Sequence, residues 1–343
     1  MVLAEYSDLP GSVVTANLTE GVPPAAKVLG ISSNTFAGTQ FGIVTNLTDR
    51  AAFQSPHDLA SIAVDKVARV VADYVDNVAL TAIAAAGINR EYVNTTLTTT
   101  ALMDAKAELK SRNIEPVPGK GYFALLHPYA LSGLEREASL NGYTDVQAQA
   151  DAGKLSAGVV STYRGFSFLP SSKIAGVLSA AARTGPTAAF ATDIFTLAAH
   201  GLANGTRIQF SSITGGGTNV VTATDYYVIN ATATTFQISL TRGGTVRDLN
   251  TSDISASTFK SEVFPVYLLG KGSMGAGDLG TFDYITVNTP DAGNPLNQFA
   301  TISAKGIFGA AVLSFAESTD GAGNNATAVP RIYSFSVMTG LTA

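Results

Sequence analysis

The chain has 343 residues, 46% of them hydrophobic and 14% charged, with a net charge of -5, three histidines and no cysteine. No stretch concentrates Lys and Arg into the basic stripe that tight nucleic-acid binding requires, and without cysteine there is no thiol chemistry, disulfide framework or cysteine–zinc site. Ordinary soluble domains carry about 25% charged residues, so the low fraction implies that much of this surface is covered by partners or further copies.

The N-terminal residues carry no basic n-region followed by an apolar core, which argues against a signal peptide. Apolar runs such as IFGAAVLSFA at 307–316 fall short of the roughly 20 residues that span a bilayer, so no membrane partner is expected. Residues 1–56 show neither helical nor sustained strand periodicity, and Pro10, Pro23 and Pro24 punctuate them. They read as an extended arm with turns. At about 3.3 Å per residue, thirty such residues reach roughly 100 Å, enough to cross a neighbouring subunit.

After Pro56 the texture changes. Leu59, Ile62, Ala63, Val67, Val70, Val71, Tyr74, Val78 and Ile83 recur at spacings of three and four, predicting a helix over 57–86 about 40 Å long. Asp58 is placed to cap its start and Gly87 to end it. A second helix fits 101–112, with Thr100 as cap and Asn113 at the stop. Next come a short buried strand, a turn at His127-Pro128 and a helix over 131–138. His127 beside Tyr129 could serve as a general base, but a base needs an oriented partner, and none is identifiable; the reading adopted is a strand-to-helix turn.

From 186 to 262 helical periodicity disappears. Strands are predicted at 194–197, 207–210, 225–229, 235–241 and 245–249, separated by glycine-rich turns such as Gly215-Gly216-Gly217, which suggests a small β-barrel or sandwich. His200 falls at a turn entering it, with no nucleophile or second ligand nearby, and is read as structural. Gly270, Gly272 and Gly275 match G-x-G-x-x-G. The residues that follow lead into another strand, however, not into the helix whose N-terminus would hold a pyrophosphate, so no cofactor is expected. The catalytic, cofactor-binding and metal sets are therefore all empty, and the chain is read as a non-enzyme.

The last third carries the most specific pattern. VFPVYLLGKGSMGAGDL followed by NPLNQFATISAKGIFGAAVL resembles the C-terminal part of tailed-bacteriophage major capsid proteins, and more narrowly those of N4-like podoviruses. Asn294, Pro295, Leu296, Asn297, Gln298, Lys305, Ala310, Ala311 and Leu313 carry the match. YFALLHPYALSGLE and GVVSTYRGFSFLPSSKI fit the same family upstream, in the same order. The module HGLANGTRIQF…DYYVINATATTFQISLT resembles a small β-domain that recurs in phage structural proteins.

The resemblance implies an α+β Hong Kong 97-type capsid fold with an N-terminal arm, extended loop, spine helix, peripheral domain and axial domain, plus an inserted all-β barrel or sandwich. The expected division is an arm and extended loop at 1–56, capsid core at 57–185 and 263–343, and the inserted β-domain at 186–262. The implied function is self-assembly into the icosahedral shell of a phage, as hexamers and pentamers. The implied location is the virion, after assembly in the host cytoplasm. Expected partners are scaffolding, portal and decoration proteins, with packaged DNA contacted non-specifically. A tail or decoration protein built around the β-module is the second reading, against which the long helix counts.

Overall fold

A computed structural model describes residues 2–6, 20, 23, 31–92, 95–136, 162–215, 219–249, 252–278, 280, 282–290, 293–315 and 329–339. The chain divides into two compact units, Met1–Ala86 with Gly272–Arg331, and Gly87–Lys271 with Ile332–Ala343.

The first unit is built on the helix Leu59–Ala85. Asp58 caps it, its carboxylate accepting the N–H groups of Ala60 and Ser61, so two of the orphan donors of the first turn are satisfied. Gly87, with φ +79, stops it, as the left-handed position after a helix favours glycine. The helix lies on an antiparallel sheet centred on the strand Phe299–Val312. Thr39–Thr48 pairs along one side of that strand, and Asp283–Val287 and Met274–Asp278 share the other. Val67 and Val71 bury themselves against Ile302 and Ala304, with Phe41, Ile43 and Phe282 packed around them. Gly306 must lack a side chain, because a Cβ there would meet the Phe282 ring at 2.3 Å.

The structure refines two expectations for this unit. Ile62 and Val70, both counted in the apolar spacing that predicts the helix, are 44% and 46% exposed, while Val71 is 5% exposed; the stripe that touches the sheet is narrower than the apolar spacing. And the segment expected to lack strand periodicity contains the ten-residue strand Thr39–Thr48. Phe41 and Ile43 point inward there, but the polar Thr45 shares their face and the apolar Val44 lies on the other, which hides the alternation. Within the expected arm and loop, Val2–Tyr6 pairs antiparallel with Ile31–Thr35, so its start returns to its middle. Residues 7–19, 21–22 and 24–30 lie outside the described residues.

The second unit is organised by one sixteen-residue strand, Ile254–Leu269. Its burial alternates in the first half and becomes continuous from Val263 to Leu268, which marks a half-buried stretch passing into a fully buried one. In the second half it runs between Ile332–Val337 and Tyr122–Leu126, and the latter pairs parallel with Phe166–Pro170. Pro265 sits one residue before the pairing with Tyr122–Leu126 begins at Val266, where a missing N–H is tolerated. Leu102, Leu109, Leu126, Leu134, Phe166 and Phe335 fill the core beside this half.

Helix Thr99–Ser111 supplies the first two of these. Thr98, not Thr100, caps it, its hydroxyl accepting the Ala101 N–H at 3.3 Å. Among adjacent threonines the choice falls to the one that turns Leu102, Ala105 and Leu109 inward. Asn113 ends the helix at φ +53. The next helix spans Pro128–Glu135 and not 131–138, because Pro128 at its first turn has a φ already suited to a helix; residues 137–138 lie outside the described residues.

Along its first half the same strand pairs with Arg207–Gly215. Hydrogen-bonded neighbours then run through Asp225–Ile229, Thr235–Ser239, Ile194–Thr196 and Thr187–Ala189, and return at the pair Ala188↔Ile254. The six strands thus close a ring around Phe195, Phe210, Tyr226, Phe236 and Phe259. Each of the six strands has a hydrogen-bonded neighbour on both sides. The strand predicted at 245–249 is absent. After the turn at Gly243, φ +70, the Arg247 N–H still donates to the Ile238 carbonyl at 2.7 Å. The Leu249 N–H instead donates to the Asp193 carboxylate at 2.8 Å, which takes the chain out of register and drops Leu249 into the core.

Candidate assembly surfaces

Two of the three histidines, the part-buried His127 and the buried His200, are local caps. His127 Nδ1 accepts the Tyr129 N–H at 3.0 Å, capping helix Pro128–Glu135, and its ring stacks on Phe264 at 4.9 Å. His200 Nδ1 accepts the Leu202 N–H at 3.0 Å, while its Nε2 faces the Thr235 carbonyl at 3.3 Å. Both geometries require a neutral ring with the proton on Nε2. Burial lowers both pKa values, and Arg183 adds to the effect at His200. Among the described residues, neither ring is hydrogen-bonded to a hydroxyl or a carboxylate. Among the described residues, no group of three or more His, Asp or Glu side chains could hold a metal ion, and no helix is long and apolar enough to cross a membrane.

The glycine triplet is equally structural. Gly270 is fixed by crowding, since a Cβ would meet Ile114 at 2.3 Å. Lys271 is paired with Glu115 at 3.2 Å. Gly272, φ +69, makes the turn from which the strand Met274–Asp278 starts, so no helix follows to supply a phosphate-binding N-terminus.

What the chain does present is apolar surface, concentrated on the first unit. Paired residues of an antiparallel sheet point the same way, so the pairs Val44↔Ser303 and Ser303↔Ile285 put Val44 and Ile285 on the sheet face away from Ile302 and Ala304. Val287 joins them through Thr301. Val44 is 66% exposed, and Ile285 and Val287 are exposed beside it. Asp283 and Lys305 close one end of the patch as an ion pair at 3.6 Å. On the helix, Ile62 and Val70, about two turns apart, are exposed on one side of the buried Val67 and Val71, and Val64 is exposed on the other. Phe53, in helix Asp49–Gln54, is 88% exposed.

The segment Asn294–Gln298, singled out in the sequence, is a stapled turn. Asn294 is buried; its Oδ1 accepts the Gln298 N–H at 2.8 Å and its Nδ2 donates to the Phe299 carbonyl at 2.6 Å. Asn297 takes φ +50, and Leu296 is held at the tip, 76% exposed. The turn thus delivers the chain into the central strand Phe299–Val312 and presents one leucine to the outside. Leu313 is buried and Ala310 and Ala311 lie in that strand, so these matched residues are packing positions. Sequence reasoning missed the Val44–Ile285–Val287 patch, because only the strand register reveals that these residues share a face.

No family model matches the chain, and no curated protein matches it. Among solved structures it is similar to the capsid of Ralstonia phage GP4, with 9% identity over 99% of this chain and 83% of that one, at a TM-score of 0.58. It is also similar to the cyanophage Pam1 capsid, at 12% identity, 98% and 84% coverage and a TM-score of 0.57. The acid-stable capsid of Helicobacter pylori bacteriophage KHP30 matches with the same four values. The chain has the mixed α/β fold of these phage capsid proteins over nearly its whole length.

Proposed function

We propose that the chain is a major capsid protein that assembles, as hexamers and pentamers, into the icosahedral shell of a tailed phage. The observation that carries this is the capsid-protein fold over 98–99% of the chain, on a subunit whose first unit exposes apolar residues on both sheet face and helix. In the Hong Kong 97-type layout, the first unit corresponds to the peripheral domain with its spine helix Leu59–Ala85, and residues 1–56 to the arm and extended loop. Residues 57–185 and 263–343 form the capsid core, and the strand ring within 186–262 is an inserted β-domain projecting outward, where an added domain disturbs the lattice least. Kinship with the N4-like group rests on the residues 294–313 quoted above. Scaffolding, portal and decoration proteins are the expected partners, the host cytoplasm the place of assembly and the virion the destination.

Negative-stain electron microscopy with light scattering of the purified chain, alone and with its scaffold, tests the reading. Closed shells or free capsomers are expected. A subunit that stays a 35.3 kDa monomer under both conditions would overturn it in favour of the tail or decoration reading.

A further inference from the structure

A cavity of about 400 Å³ opens between helix Thr99–Ser111 and the hairpin that joins Thr162–Tyr163 to Phe166–Pro170; Met103, Lys106, Ala107, Lys110, Arg164 and Phe166 line it. Positions 103, 106, 107 and 110 are spaced by three and four, so they share one helix face, beside the buried face of Leu102, Ala105 and Leu109. Lys106 Nζ donates to the Arg164 carbonyl at 2.6 Å and lies over Gly165, where a Cβ would come within 2.8 Å of the ammonium. Arg164 and Gly165 are the two central residues of the hairpin turn, with φ +52 and +87. Such a turn is made most easily by Asn-Gly; an arginine there holds a cation at the mouth of the cavity in a backbone region that side chains rarely occupy.

Lys106, Lys110 and Arg164 form no ion pair with a carboxylate among the described residues. Arg69, Arg90, Arg112, Arg207, Arg242, Lys271 and Lys305, by contrast, are all paired. Three unneutralised cations gathered at one cavity, in a chain of net charge -5, repel one another until an anion arrives.

We propose that this cavity binds phosphodiester groups and, in the shell, holds the backbone of the packaged nucleic acid; this rests on the capsid reading above. Phe166 is fully buried, so the cavity offers charge and N–H donors but no exposed ring for a base to stack on. Those groups read a phosphate backbone and not a sequence. Three cations spread over a cavity of this size suit a polyanion better than a single carboxylate. One such site binds weakly, and repetition over the shell supplies retention, which reconciles a DNA contact with an acidic subunit.

The test is a fluorescence-polarisation titration of the full-length chain with a labelled DNA duplex between about 50 and 200 mM salt. Three phosphate contacts give a log–log salt slope of about -2.7. The double variant Lys110→Gln/Arg164→Asn is expected to flatten it by about 1.8 and to weaken binding several-fold at low salt. Lys271→Gln, outside the cavity, keeps most of the affinity. Asn is the residue this turn prefers, so the double variant should unfold at no lower temperature, and lost binding then reports the site. An unchanged slope in the double variant overturns the proposal, as does an equal loss in Lys271→Gln. So does a double variant that binds DNA normally but no longer forms shells, which would make the cavity a seat for a neighbouring copy's carboxylate. A wild-type chain that binds DNA through the cavity yet never forms shells would sink the capsid reading and leave the site standing.

Discussion

The two units of this chain are stabilised on different terms. In the unit built on Ile254–Leu269, two cores of 21 and 14 buried apolar residues lie among the described residues, rich in Phe, Leu and Ile. In the unit built on the long helix, the corresponding cluster holds four, Val67, Val71, Ile302 and Ala304. Burial of apolar side chains is the main gain set against the entropy of ordering a chain. The first arrangement has far more of it to draw on than the second, which also exposes Val44, Ile62, Val64, Val70, Ile285 and Val287. On the capsid reading proposed above, a thin sheet with one helix on one face is half of an interface whose other half further copies supply.

The largest effect belongs to the self-sufficient unit. Phe335→Ala removes a fully buried ring that meets Tyr92 edge-on at 5.8 Å, and should cost about 3–5 kcal/mol, read as a lower midpoint in urea unfolding. A loss under about 1 kcal/mol would mean that this core is loosely packed. The thin unit is tightly packed at Gly306. Gly306→Ala drives a methyl into the Phe282 ring and should cost about 1–3 kcal/mol. If Gly306→Ala is neutral, the sheet and helix are not pressed together as described.

Acid sensitivity should also sit in the self-sufficient unit. His127 and His200 are held neutral, with pKa values below the usual one. Below pH of about 6.5 the unfolded chain binds protons that the folded chain refuses. Their contribution is therefore complete above that pH and is lost as pH falls from there through the depressed folded values. Thermal unfolding between pH 7 and 5.5 should show this decline. His127→Asn, which keeps a capping acceptor but does not titrate, should shallow it; an unchanged slope would show that the ring protonates freely in the fold.

The same contrast explains what the sequence discloses. The helix Leu59–Ala85, its Asp58 cap and its Gly87 stop are legible because capping and periodicity are local. The strands of the ring are legible where they alternate between turns, as at Asp225–Ile229. Two things were not. Residues 245–249 follow a Gly-Gly turn as the second arm of a hairpin would, but Asp193 takes the N–H of Leu249 that a ladder would have used, and no local rule could announce that partner 56 residues away. The Val44–Ile285–Val287 patch is assembled from two strands far apart in sequence through a third, so it exists only once the register is known. Val70 shows the converse error: its spacing placed it in the stripe, yet the sheet is too narrow to cover it.

That error yields the sharpest test, because the subunit itself should barely notice the change. Val71→Asp places a carboxylate at a 5% exposed position against Ile302 and Ala304, and should destabilise the subunit by several kcal/mol, since nothing there pairs with the charge. Val70→Asp, one residue away at 46% exposure, and Val44→Asp on the far sheet face should each change subunit unfolding by no more than about 0.5 kcal/mol. If neighbours cover these faces, each of the two must nevertheless block shell formation in the electron microscope, as the carboxylate is buried only on assembly. Normal shells from Val70→Asp and Val44→Asp would leave the apolar surface of this unit without an occupant. The thinness of its core would then need another explanation.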